Sequence, residues 1–175
     1  MKTKTITLYS LSELSKEAQK KAHDQWISNN DYTWLSDCLN ERLHEMLIEN
    51  SIKDLNDTSK PGTTPTEVQY SLSYCQGDGM MFAGSFEWKD WTVRIKHAGH
   101  YYHSHSKETS FYDENGEEGA PEDVENEFET IYQKICKDLE RYGYDWIAEE
   151  DSFERFEESC EANEYTFTSE GIMEN

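Results

Sequence analysis

Aliphatic side chains are too scarce in this chain to build an ordinary core. Ten leucines, nine isoleucines, three valines and seven phenylalanines account for 29 of 175 residues. That share falls below about one fifth, which in a highly charged chain is the composition of disorder. Aromatic rings point the other way. Five tryptophans, eleven tyrosines and the seven phenylalanines bring the aromatic content to 13%, and each ring buries on the order of 150–250 Å². The rings recur periodically, so the sequence predicts a folded protein with an aromatic core, and its length fits a single domain.

Charge is as uneven as the apolar content. Sixteen lysines and arginines face 37 aspartates and glutamates, a formal net charge of −21. Up to Lys107 there are 14 acids and 12 bases; beyond it there are 23 acids against Lys134, Lys137, Arg141 and Arg155, a net of −19. This balance excludes a protein that grips nucleic-acid phosphates directly, which needs a basic footprint, and it opposes adsorption to an anionic membrane. No apolar run approaches the roughly 18–20 residues of a membrane span, and the Met1-Lys-Thr-Lys start leads into no signal core. The expectation is a cytoplasmic protein with no membrane partner. Cys38, Cys75, Cys136 and Cys160 are scattered without a CxxC pair, which in that compartment predicts buried reduced thiols rather than a disulfide or a metal site.

Hydrophobic periodicity outlines one α+β domain over residues 1–175, an antiparallel β-meander covered by amphipathic helices from both ends of the chain. A short strand is expected over Lys4–Tyr9. A helix capped by Ser12 or Ser15 follows, with Leu11, Leu14, Ala18, Ala22 and Trp26 inward. Asp31 is read as the cap of a second helix that buries Leu35, Leu39, Leu43, Met46 and Leu47 and runs to about Asn50. Asp57–Pro65 reads as a polar loop. Strands are expected through Val68–Tyr74, Phe82–Trp88, Trp91–Ile95 and His100–His105, with Gln76-Gly77-Asp78-Gly79 as a turn. A helix with Val124, Phe128, Ile131, Ile135, Leu139 and Tyr142 on one face is expected to end or bend at Gly143. The next carries Trp146, Ile147, Phe153, Phe156 and Cys160, and Tyr165 and Phe167 suggest a last strand.

Three constellations compete for function. Glu150, Glu154, Glu157, Glu158 and Glu161 recur at helical steps, with Glu149 and Asp151 flanking their upper end and Phe153, Phe156 and Cys160 docking on the opposite face. Glu114, Glu117, Glu118, Glu122, Asp123, Glu125, Glu129 and Glu140 would broaden that surface. Like charges one turn apart repel by a few tenths of a kcal/mol each, and a Lys- and Arg-bearing partner relieves the repulsion. The plain alternative is a solvated helix face. His97, His100, His103 and His105 form the second constellation; two imidazoles two apart on a strand share a face and suit a cation, but the spacing fits no zinc signature. The third, Cys75-Gln76-Gly77-Asp78-Gly79, lacks the Lys and Ser/Thr of a phosphate loop and reads as a structural turn. No cofactor motif or catalytic residue is assigned, and an enzyme is not the expected class.

Three segments, Leu14-Ser15-Lys16-Glu17-Ala18, Asp31-Tyr32-Thr33-Trp34 and above all Tyr74-Cys75-Gln76-Gly77-Asp78-Gly79-Met80-Met81-Phe82, resemble a family of small phage and prophage proteins. That family reads Ser-Gln-Gly-Asp-Gly where this chain has Cys75, and Gly99-His100-Tyr101-Tyr102-His103 also fits its pattern. The resemblance covers roughly residues 6–105, leaves the acidic tail unread and supplies no catalytic residues. It implies a phage setting in the host cytoplasm, in which small acidic proteins block defence nucleases or CRISPR complexes. The resulting expectation is an anti-defence protein that mimics nucleic acid and binds a host protein or nucleoprotein complex with a basic surface. An antitoxin-like module acting through the sheet or the QGDG turn is the alternative, a His100/His103/His105 metal enzyme a more distant one, and a second copy of the chain a further candidate partner.

Overall fold

Aromatic rings pack within each of two compact units. The computed structural model describes residues 6–56 and 66–174 and gathers the chain into two compact units. A terminal unit joins the segment up to Thr33 to the segment from Trp146 onward, and a central unit spans Trp34–Asp145. The elements in order are α1 (Lys16–Ser28), α2 (Leu35–Glu49), β1 (Ile52–Asp54), β2 (Val68–Ser71), β3 (Gly79–Phe82), β4 (Gly84–Trp88), β5 (Trp91–His97), β6 (Lys107–Tyr112), α3 (Glu122–Glu150) and α4 (Phe153–Ala162). Helices with antiparallel sheets make this an α+β fold. The sequence-predicted loop over Asp57–Pro65 lies outside the described residues.

In the terminal unit Ser15 caps α1, its Oγ accepting from the Ala18 amide at 3.2 Å. Leu11, Leu14, Ala18 and Ala22 pack against Phe156, Cys160 and Phe167, with Tyr9, Trp26, Tyr165 and Met173 closing the cluster. Among the described residues, the two strands expected near the chain ends shrink to single bridges: Tyr9 and Phe167 exchange backbone hydrogen bonds of 2.9 Å each, and Phe167 also bridges Met173. Ile6 and Leu8 stay 48% and 46% exposed, so the alternation read there buries no face. Asp31 caps no helix either; its Oδ1 accepts from the Thr33 amide and hydroxyl, and α2 begins after Trp34 without a side-chain cap.

In the central unit β1-β4-β5-β6 form a four-stranded antiparallel sheet, and β2 pairs β3 in a separate two-stranded one. Phe86, Val93 and Phe111 stand in register across β4, β5 and β6, with Ile52 opposite Trp88. This face is buried, while Lys53, Glu87, Arg94 and Lys96 occupy the wet one. Phe128 of α3 sets its ring 5.2 Å from Trp88 and 5.6 Å from Phe111. Tyr132, one turn on, is fully buried; its hydroxyl donates to the Phe82 carbonyl at 2.9 Å and accepts from the Phe82 amide. Burial pushes its phenol pKa far up.

Three of the sequence expectations give way in this unit. The strand expected over Phe82–Trp88 is two strands in different sheets, β3 and β4, parted at Ala83. The strand expected over His100–His105 is a loop; the fourth strand is β6, held by its ladder with β5 rather than by its own apolar pattern. Gly143 does not end a helix, because α3 runs through it and on past Trp146 and Ile147 to Glu150. A Cβ there would lie 2.5 Å from Leu72 Cδ1, so the glycine serves close packing.

Gly171 anchors the last turn of the terminal unit. Its φ is +80°, and a Cβ would sit 2.1 Å from the Ala18 carbonyl oxygen, a backbone atom that cannot step aside. Gly171→Ala is expected to destabilise the protein by about 2–4 kcal/mol, combining left-handed strain with the clash. Urea unfolding monitored by tryptophan fluorescence checks this, and an unchanged midpoint would contradict it.

Candidate functional site: the acidic face of the last helix

Ser152 starts α4 by accepting the Arg155 amide on its Oγ at 3.1 Å. Phe156 is fully buried and Cys160 nearly so. The Phe156 ring lies 5.3 Å from His23, 5.4 Å from Trp26 and 6.2 Å from Phe167, an aromatic socket on one side of the helix. At about 100° per residue, Glu154, Glu157, Glu158 and Glu161 fall within an arc of roughly 100° on the other side. All four are exposed. They span about 10 Å of helix axis at a rise of ~1.5 Å per residue.

The seven acids expected to form one stripe do not share one helix. Glu149 and Glu150 close α3, Asp151 and Ser152 form the junction, and α4 starts afresh at Phe153. The break has a local cause in the Ser152 cap, since Asp151 still donates to the Ile147 carbonyl while Ser152 switches to Glu149. Glu150 and Glu158 are tied across the junction by Arg155, at 3.2 and 3.3 Å. Asp151 is scaffold: both its carboxylate oxygens accept from the Tyr32 hydroxyl, and its carbonyl meets His23 Nε2 at 2.8 Å. Glu149, Glu154, Glu157 and Glu161 make no ion pair among the described residues. Phe153, read as a docking residue, is 39% exposed and leans its ring edge on His23.

Reasoning from sequence missed Tyr32, His23 and Arg155 as the parts that hold this junction. Spacing offered a hint for His23, three residues before Trp26 on α1, and for Arg155, the one base beyond Arg141. Nothing near Tyr32 announces its partner 119 residues away. Glu114, Glu117, Glu118, Glu122, Asp123, Glu125, Glu129 and Glu140, expected to widen the face, all belong to the central unit. Glu129 is committed there to an ion pair with Lys107.

The QGDG turn connects β2 to β3, and Asp78 organises it. Its carboxylate accepts from the Ser73 amide at 2.8 Å, the Cys75 amide at 3.0 Å, the Cys75 thiol at 3.2 Å and the Tyr144 hydroxyl. Desolvation pushes the Asp78 carboxyl up, but these bonds together outweigh it and hold the group far below its usual value. Cys136 and Cys160 are buried as expected, whereas Cys38 is half-buried and Cys75 exposed. Among the described residues no three His, Cys, Asp or Glu side chains are placed to hold a metal ion. The chain matches no family model, no curated protein and no solved structure.

Because Asp78 titrates lower in the folded protein than its ordinary 3.8, its stabilising contribution is complete above that pH and is lost as the pH falls below it. Asp78→Asn is expected to be less stable at neutral pH and to show a shallower loss of stability on the acid side. Acid titration of both proteins by circular dichroism measures this; identical curves would contradict it.

Proposed function

We propose that the chain is a non-enzymatic inhibitor whose α4 face stands in for a nucleic-acid backbone, occupying a basic groove on a host protein or nucleoprotein complex. In the phage setting implied by the QGDG resemblance, the target is a defence complex that binds DNA or RNA. One observation carries this reading: Glu154, Glu157, Glu158 and Glu161 stand exposed on one arc while Phe156, directly behind them, is fully buried. The carboxylates are thus mounted on an anchored helix rather than on a loose tail.

Magnitudes set the scale of the mimicry. About 10 Å of helix axis corresponds to some three nucleotide steps of one DNA strand, each rising ~3.4 Å along the duplex axis. At physiological salt the screening length is about 8 Å, so neighbouring carboxylates act on a basic partner together. Arg155 neutralises part of Glu158 and leaves Glu154, Glu157 and Glu161 as the strongest contributors. Desolvating such charges is offset only if the partner supplies Lys or Arg hydrogen bonds, a requirement that selects nucleic-acid-binding grooves. The antitoxin-like alternative places the contact on the QGDG turn. Asp78 already commits its acceptor capacity to Ser73 and Cys75 of that turn and to Tyr144 of α3.

Immobilised protein is expected to retain a basic protein or nucleoprotein complex from host lysate at low salt and to release it at high salt or to excess duplex DNA. The variant combining Glu154→Gln, Glu157→Gln, Glu158→Gln and Glu161→Gln is expected to fold normally and lose at least about tenfold in affinity. Retention that is undiminished in the variant, or indifferent to salt, would contradict the proposal.

A further inference from the structure

Two segments that the acidic face does not use meet in the central unit. Loop residues 99–106, with four of the chain's six histidines nearby, lie on the bare glycines of the QGDG turn. A Cβ on Gly79 would fall 2.5 Å from His103 Nδ1 and 3.0 Å from the Tyr102 carbonyl oxygen, and one on Gly77 would press on the Tyr101 ring at 3.3 Å. The motif's glycines therefore permit a close seat for the histidine loop. Between that loop and α3 lies a cavity of about 480 Å³, with His103 and His105 on one wall and Gln133, Lys137 and Glu140 on the other.

His105 is held from behind by a chain of polar contacts. The Lys107 ammonium, with a side chain only 7% exposed, pairs with Glu129 Oε2 at 2.5 Å and sits 4.6 Å from the centre of the Tyr132 ring. Glu129 Oε1 accepts from Gln133 Nε2 at 2.7 Å. That contact fixes the amide with its NH₂ toward His105, whose Nδ1 is 3.5 Å away. Nδ1 faces that amide, and Nε2 is the ring nitrogen that makes no hydrogen bond to the described residues. Lys137 makes no ion pair among the described residues. Cys136 lies at the floor, and burial pushes its thiol up to about 12, so it stays protonated and uncharged.

We propose that this cavity binds a small molecule through an oxyanion, a phosphate or carboxylate group held by the Lys137 ammonium and the His105 Nε2–H, with the Ser104 and Ser106 hydroxyls as further donors. Donors of this kind select an anion, and they outnumber the single carboxylate in the lining, Glu140. A cavity of this size exceeds a bare phosphate, so the ligand carries a body as well as an anionic head. The site lies wholly in the central unit and is independent of the α4 face, so either reading can fail without the other.

Titration with sodium phosphate and, separately, sodium acetate at constant pH and ionic strength tests this, with the backbone amides of residues 103–106 followed by NMR and sodium chloride as the control. A saturable shift with phosphate, acetate or both is expected, and the tighter ligand identifies the head group. Lys137→Met and His105→Ala, both at exposed positions, are expected to weaken binding about tenfold, the loss of one charge-assisted contact. Titrations that never saturate, that chloride reproduces, or that both variants leave unchanged would overturn the proposal.

Discussion

Enclosure of Phe156 is the contact on which the terminal unit turns. It brings together α1, through Ala18, Ala22, His23 and Trp26, with α4 and with the returning segment at Phe167. Without that socket a ten-residue helix with four glutamates on one face has little reason to persist, since short isolated helices are marginal in water and neighbouring like charges oppose them. Ring burial supplies what aliphatic residues supply elsewhere. The repulsion on the acidic face is offset by the packing of the apolar one.

The central unit solves the same shortage differently. There Tyr132 joins α3 to β3 through its ring and its hydroxyl at once, 4.6 Å from the Phe82 ring and bonded to the Phe82 backbone. The same ring supports the nearly buried Lys107 ammonium. A buried ion pair is weak evidence for stability in itself, because desolvation offsets much of the attraction. Its value here is positional. Glu129, fixed by Lys107, sets the amide of Gln133, which in turn sets the imidazole of His105.

Helices were the most legible part of the sequence. Leu35, Leu39, Leu43, Met46 and Leu47 all end up buried on α2, and Phe128, Ile135 and Leu139 on α3, as period 3.6 requires. Strands that owe their existence to a neighbour were not legible: β1 has three residues, and β6 contributes a single buried apolar side chain, Phe111. Gly143 misled because its helix propensity, unfavourable by about 1 kcal/mol against alanine, is outweighed by the room it gives Leu72. The acids of α4 were visible in sequence. That Glu150 and Asp151 are structural was not, because the groups that claim them, Arg155 and above all Tyr32, are chosen by tertiary packing.

Whether an ordered face or mere bulk charge attracts a basic partner is the central question, and backbone amide NMR answers it most directly. A short peptide rich in lysine and arginine serves as the probe of a basic surface. If the anchored face is the binding element, shifts concentrate on 149–161 and disappear at high salt. Perturbations distributed over the acids of 113–125 in proportion to their charge, with α4 no different from the rest, would contradict it.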